Sequence, residues 1–129
     1  MNTKAETNKN QTENEERIID ASGRPFGRIA TEAANALRGK DSPSFEKNRI
    51  MGQPVNIINA SQISVSTSAK FLNKVYVRYS GYPGGKKEES LKKIIERKGY
   101  SEALRRSIYG MLPNNKLRPR LMKRLKISE

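Results

Sequence analysis

Apolar residues recur at two different spacings along this chain, and the change of spacing marks out its elements. Arg17-Ile18-Ile19-Asp20-Ala21 reads as a short strand, and Ser22 to Gly27 as a turn. Ile29, Ala30, Ala33, Ala34 and Leu37 then follow at helical spacing. They predict a helix from about Phe26 to Arg38, with Gly39 as its C-terminal cap. Lys40 to Gln53 is loop-like. Val55 to Ile58 reads as a second strand ending at Asn59-Ala60, Ile63 to Val65 as a short third, and Ser66 to Leu72 as a turn with a short helix. Lys74 to Tyr79 is the clearest strand, because Val75, Val77 and Tyr79 alternate with Tyr76 and Arg78.

After Tyr79 the pattern breaks and then becomes helical. Arg78-Tyr79-Ser80-Gly81-Tyr82-Pro83-Gly84-Gly85-Lys86-Lys87 holds three glycines and a proline, so it continues neither strand nor helix. Leu91, Ile94 and Ile95 form a stripe on a helix expected from about Glu88 to Lys98, which Gly99 stops. Ser101 is placed to cap the next helix, and Glu102 in its first turn suits the helix dipole. Leu104, Ile108 and Met111 are its stripe, leaving Arg105, Arg106 and Tyr109 off it. Leu112-Pro113-Asn114-Asn115 is a breaker. Pro119 belongs in a first turn, so a last helix begins near Leu117 or Arg118, with Leu117, Leu121 and Leu125 inward. Strands separated by helices predict an α/β fold with a mostly parallel sheet.

Charge changes the picture more than length does. The 129 residues make one domain with a modest core, yet they carry a net charge of +13. Met1 to Glu16 is polar and net −2, so it reads as a disordered tail, 1–16, before a single domain over 17–129 that carries +15. Such an excess calls for an anionic partner, nucleic acid foremost and an anionic membrane second. No apolar run is long enough for a membrane span or placed as a signal peptide would be. The absence of Cys fits a reducing cytoplasm, and with no His or Cys the usual metal and nucleophile constellations are missing. No cofactor, metal or small-molecule substrate is expected.

The motifs agree with binding rather than catalysis. Gly23 and Gly27 give G-x-x-x-G where a dinucleotide fold needs G-x-G-x-x-G, so they read as a βα turn. Gly81 to Lys86 gives G-x-x-x-G-K followed by Lys87, one residue short of a nucleotide phosphate loop and without its Ser or Thr. The carboxylates are scattered, with no apolar pocket to raise one of them. From Arg105 to Lys126 there are eight basic residues and no acid, so pairing along the helices cannot absorb the charge. The same loop sets Tyr79 and Tyr82 among Arg78, Lys86 and Lys87, and open glycine backbone beside aromatics and cations suits a phosphate-rich, base-bearing partner.

Tyr79-Ser80-Gly81-Tyr82-Pro83-Gly84-Gly85-Lys86 resembles the signature loop of the thirteenth large-subunit ribosomal protein family, in its bacterial form. Asp20-Ala21, Gly27-Arg28-Ile29-Ala30, Leu37-Arg38-Gly39-Lys40, Asn59-Ala60, Lys74-Val75-Tyr76 and Gly110-Met111-Leu112-Pro113-Asn114 resemble it in the same order, and Leu117-Arg118, Leu125 and Lys126 fit its last segment. The resemblance runs from about Arg17 to Ile127. It departs at Glu16-Arg17, where the family opens its first strand with Trp and Tyr, and at Lys47 to Gly52, where the family carries a His and an Asp-Gly-Asp turn.

The resemblance implies a three-layer α/β/α fold around a mostly parallel four-stranded sheet, followed by basic C-terminal helices. It also implies a structural protein that binds large-subunit ribosomal RNA in the ribosome, assists assembly of the subunit beside neighbouring ribosomal proteins, and is not an enzyme. Its expected RNA contacts are Arg78, Tyr79, Ser80, Tyr82, Gly84, Gly85, Lys86 and Lys87 in the loop. Downstream they are Asn114, Lys116, Arg118, Arg120, Lys123, Arg124 and Lys126. One-signed charge adds Arg105 and Arg106, and Arg24, Arg28, Arg38 and Lys40 at the two ends of the first helix complete the set. A nucleoid DNA-binding protein shares the charge but not the loop, and a nucleotide-using enzyme fails on both glycine spacings.

Overall fold

The computed structural model describes residues 15–65 and 73–129. The short helix expected within Ser66–Leu72 lies outside those residues, as does the expected tail except for Glu15 and Glu16. The elements are β1 (Arg17–Asp20), α1 (Phe26–Arg38), β2 (Val55–Ile58), a 3-10 turn (Ala60–Gln62), β3 (Val75–Tyr79), β4 (Lys86–Ser90), α2 (Leu91–Met111), α3 (Arg118–Lys123) and β5 (Leu125–Ile127).

Three strands form a parallel sheet in the order β1-β2-β5, with Ile19 beside Ile57 and Ile57 beside Ile127. Alternation puts Ile19, Val55 and Ile57 on one face, where they are buried with the apolar stripe of α1 and with Leu104 and Ile108 of α2. The opposite face carries Ile18, which is 65% exposed, together with exposed Asp20 and Lys126. The Asp20 carboxylate accepts from the Ser22 backbone N–H at 3.0 Å, the Ser22 hydroxyl at 2.8 Å and the Asn59 amide at 3.2 Å. Those donors, the Ser22 N–H first, hold its pKa below the usual carboxylate range. This ties the end of β1 to Asn59, which turns the chain out of β2 with φ 57°.

The observed elements differ from the expected ones at several points. The parallel sheet has three strands among the described residues, not four, because β3 pairs antiparallel with β4 in a separate hairpin. A short loop can return a strand antiparallel, whereas a parallel neighbour needs a long crossover. The short strand expected at Ile63 to Val65 is a single parallel bridge between Ser64 and Pro25. The helix expected from Glu88 begins only at Leu91, where the Ser90 hydroxyl caps it by accepting from the Lys93 N–H at 3.3 Å. Leu125 is not on the last helix: it opens β5, where Leu125 and Ile127 are held by pairing with β2.

Gly99 does break α2, with φ 83° and ψ 177°. The second half is not capped by Ser101 as expected. Instead the Glu129 carboxylate accepts the Ser101 N–H at 3.1 Å, an anion at a helix start supplied from the far end of the chain. The hairpin stands on α2 through Tyr76, which packs near Leu91, Ile94 and Ala103 and whose hydroxyl lies 3.3 Å from that of Ser107. Its facing is therefore the reverse of a simple apolar-inward strand: Tyr76 turns inward, while Val75, Val77 and Tyr79 are exposed.

Candidate nucleic-acid interface

A groove of about 760 Å³ runs between the hairpin and α2. Its hairpin wall is one face of the ladder, where Tyr76 lies opposite Glu89 and Arg78 opposite Lys87. The α2 wall is Arg97 and Lys98 before the break, then Glu102, Arg105, Arg106 and Tyr109, which share one helical face by their spacing of three and four. Met122 of α3 also lines it.

The charges inside the groove sort into two groups. Glu89 accepts from Arg97 at 2.5 Å and from Arg106 at 3.0 Å, and Arg106 also reaches Glu102 at 3.2 Å. Two carboxylates and two guanidiniums thus cancel, and they tie β4 to α2. Arg78, Lys87, Lys98 and Arg105 have no ion-pair partner among the described residues. They are exposed and line the same groove, so four cations remain for a ligand. The Arg106 guanidinium lies 6.0 Å from the Tyr76 ring centroid and is partly buried, so it supports the wall rather than facing out.

The hydrogen bond from Arg106, with Arg97 assisting against partial burial, holds the Glu89 carboxyl below the ordinary Glu range. A carboxylate whose folded pKa is depressed stabilises the fold above its unfolded pKa and loses that contribution as pH falls through the folded value. Wild-type protein is therefore expected to be more stable than Glu89→Gln at pH 7, and the difference should disappear on acidification below the usual carboxylate range. Parallel urea melts of the two proteins across that range check this. A difference that stays constant with pH would show that the Glu89 charge is not what holds the hairpin.

The glycine loop is the turn of the hairpin. Gly81 and Gly84 take φ of 88° and 74°, and the Gly85 N–H donates to the Tyr82 carbonyl at 2.9 Å. The loop's expected contacts divide by strand alternation. Arg78 and Lys87 face the groove, while Tyr79 and Lys86 pair on the outer face, where Lys86 meets Glu88 at 2.8 Å. Tyr82 stands at the tip, 75% exposed, with Ser80 and Gly84 exposed beside it.

Besides Met122, the C-terminal segment meets the groove wall where Arg118 packs on Tyr109. The Arg118 guanidinium lies over the Tyr109 ring, 4.0 Å from its centroid, donates to the Tyr109 carbonyl at 3.3 Å and reaches the Asn114 side-chain oxygen. Asn115 accepts the Leu117 and Arg118 N–H groups at 3.1 and 3.2 Å, which fixes the start of α3. Lys116, Arg120 and Lys123 are exposed and Arg124 half-buried on this segment. Arg38 lies over Phe45 and lines a small hollow with Lys47, Arg49 and Asn115. Arg24, Arg28, Lys40 and Lys126 do not line the groove. Arg24 is held by Glu32 at 2.6 Å, and Lys126 meets Glu16 at 3.3 Å.

Of the expected RNA-facing residues, the structure brings together Arg78, Lys87, Arg105 and Arg106 in one groove. Sequence reasoning missed Tyr76, Arg97 and Lys98. The Lys98 to Arg105 interval of seven is a helical signal, but Gly99 interrupts the count between them.

The ribosomal protein L13 family model matches this chain over residues 14–129. Over 110 residues the chain is 46% identical to the large ribosomal subunit protein uL13 of Desulfitobacterium hafniense, covering 85% of this chain and 76% of that protein. It is 44% identical over 110 residues to the uL13 proteins of Thermus thermophilus and Treponema pallidum, covering 85% of this chain and 77% and 76% of theirs.

Proposed function

Since this chain belongs to the ribosomal protein L13 family, we propose that it is a constituent of the large ribosomal subunit that binds large-subunit ribosomal RNA, helps the subunit assemble and so supports translation. The family is one of ribosomal proteins, not of enzymes. The observation that carries RNA binding is the cluster of Arg78, Lys87, Lys98 and Arg105 with no carboxylate partner among the described residues, beside two carboxylates that are already neutralised. Each Lys or Arg that meets a phosphate releases condensed counterions, adding roughly 0.7–0.9 to the salt slope of binding.

The loop tip at Ser80, Tyr82 and Gly84 and the exposed cations of the C-terminal segment extend the same surface in this reading, and Arg28 and Arg38 on α1 and Lys40 just after it add contacts. RNA is read largely by shape, so a folded junction is the target rather than a linear sequence. The same reading places the protein in cytoplasmic ribosomes beside neighbouring ribosomal proteins, with 17–129 acting as one domain behind the tail 1–16. The three-layer arrangement implied by the resemblance belongs to it as well.

Sucrose-gradient sedimentation of a lysate tests it. The chain is expected to travel with large subunits and to stay with them through a high-salt wash. Recovery at the top of the gradient, or in DNA-containing fractions, would overturn the reading.

A further inference from the structure

A phosphate track alone needs cations on a surface; this groove is concave and aromatic as well. At about 760 Å³ it falls within the roughly 300–1,000 Å³ of sites that enclose a small ligand. A regular RNA duplex presents its phosphates on a convex cylinder with its bases stacked inside, so it can lie across such a groove but cannot fill it. A residue that has left the stack can enter it.

The walls are arranged for that residue. Tyr109 is 47% exposed and lines the groove. Its position is fixed by a residue that does not line the groove: the Arg118 guanidinium stacks on the ring at 4.0 Å and is itself held by the Tyr109 carbonyl and the Asn114 side chain. A ring already ordered in this way gives a base a flat partner at little further entropic cost. Glu89 and Glu102 lie inside the groove but are matched by Arg97 and Arg106, so they do not repel an incoming phosphate. Arg78 and Lys87 on the hairpin wall, with Lys98 and Arg105 on the α2 wall, leave positive charge on both sides.

We infer that the groove between the hairpin and α2 takes a single unpaired nucleotide of the bound RNA, its base stacked on Tyr109 and its flanking phosphates held by Arg78, Lys87, Lys98 and Arg105. The inference rests on the RNA-binding reading above and adds to it the kind of RNA element that enters. Unpaired bases stacked on aromatic side chains are the usual targets of base-reading RNA proteins, and each such stack contributes measurably to affinity.

Three fluorescently labelled RNA hairpins test it by anisotropy titration: one with a single-nucleotide bulge, the same hairpin with an abasic residue at the bulge, and a fully paired version. Wild-type protein is expected to bind the bulged hairpin about tenfold more tightly than the abasic one. Tyr109→Leu should bind those two alike, and Tyr109→Phe should keep the preference. The abasic comparison needs no variant, so a folding defect in Tyr109→Leu cannot hide the answer. If wild type binds all three hairpins equally and with strong salt dependence, the nucleotide site is wrong while RNA binding stands. Equal weakening of all three by Tyr109→Leu in a folded protein also refutes it. If none of the three binds, RNA recognition by this groove is refuted and the nucleotide site falls with it.

Discussion

Gly52→Ala is expected to destabilise the protein by about 3 kcal/mol or more, the upper end for forcing extra volume into a packed site. Gly52 is buried where the chain returns from the loop beneath the end of α1. A Cβ there would overlap the backbone carbonyls of Leu37 and Ala36. Those atoms belong to the last turn of α1 and cannot rotate away as a side chain could. The approach is reciprocal, since a Cβ on Gly39, at φ 77°, would lie 2.7 Å from the Met51 carbonyl carbon. The Gln53 N–H donates to the Ala36 carbonyl at 3.2 Å across the same crossing, two residues before β2 begins. Relief of the overlap would move the entry of β2, the central strand of the sheet. Urea unfolding should show a lower midpoint with an unchanged slope. A midpoint equal to wild type would mean that the loop can lift off α1 without disturbing the strand.

Arg78→Glu with Arg105→Glu is expected to weaken binding to large-subunit ribosomal RNA by about a hundredfold near 0.1 M salt. Losing two phosphate contacts removes about 1.4–1.8 from the salt slope, roughly thirtyfold at that salt, and the reversed charges add repulsion. Both side chains are exposed and neither has an ion-pair partner among the described residues, so the fold should not change. Lys86→Glu is the informative contrast. Lys86 is paired with Glu88 on the hairpin's outer face, so its reversal should cost much less. Filter-binding titrations over a range of salt measure both. A loss for the double reversal no larger than for Lys86→Glu would show that the RNA surface is the outer face of the hairpin, not the groove.

The two substitutions differ in what a reader of the sequence could have foreseen. Arg78 and Arg105 belong to the expected RNA-facing set because basic residues near glycines and aromatics, or in a run without acids, are visible in one dimension. Gly52 carries no such mark: its neighbours Leu37 and Ala36 are distant in the chain, and nothing in Met51-Gly52-Gln53 shows that a helix end presses on it.

Elements whose pattern is local were legible from the order of residues alone. α1 spans the expected Phe26–Arg38 and ends at Gly39 because its apolar stripe repeats every turn and a left-handed residue follows it. β2 spans the expected Val55–Ile58, α3 begins at Arg118 with Pro119 in its first turn, and Gly99 breaks α2, all for similarly local reasons. The ordered motifs were also enough to place the chain in its family. The rest depended on the folded arrangement, because pairing partners are remote in the chain. Lys86-Lys87-Glu88-Glu89-Ser90 has no apolar alternation, and it is a strand because β3 supplies its ladder. Leu125 reads as helix until β2 pairs with it. The same holds for charge. A count of basic residues treats Arg105 and Arg106 alike, yet Arg106 is held by Glu89 and Glu102 while Arg105 has no partner among the described residues. Whether a cation is left for RNA depends on which carboxylates the fold brings to it, and Coulomb attraction falls off with distance in space rather than along the chain.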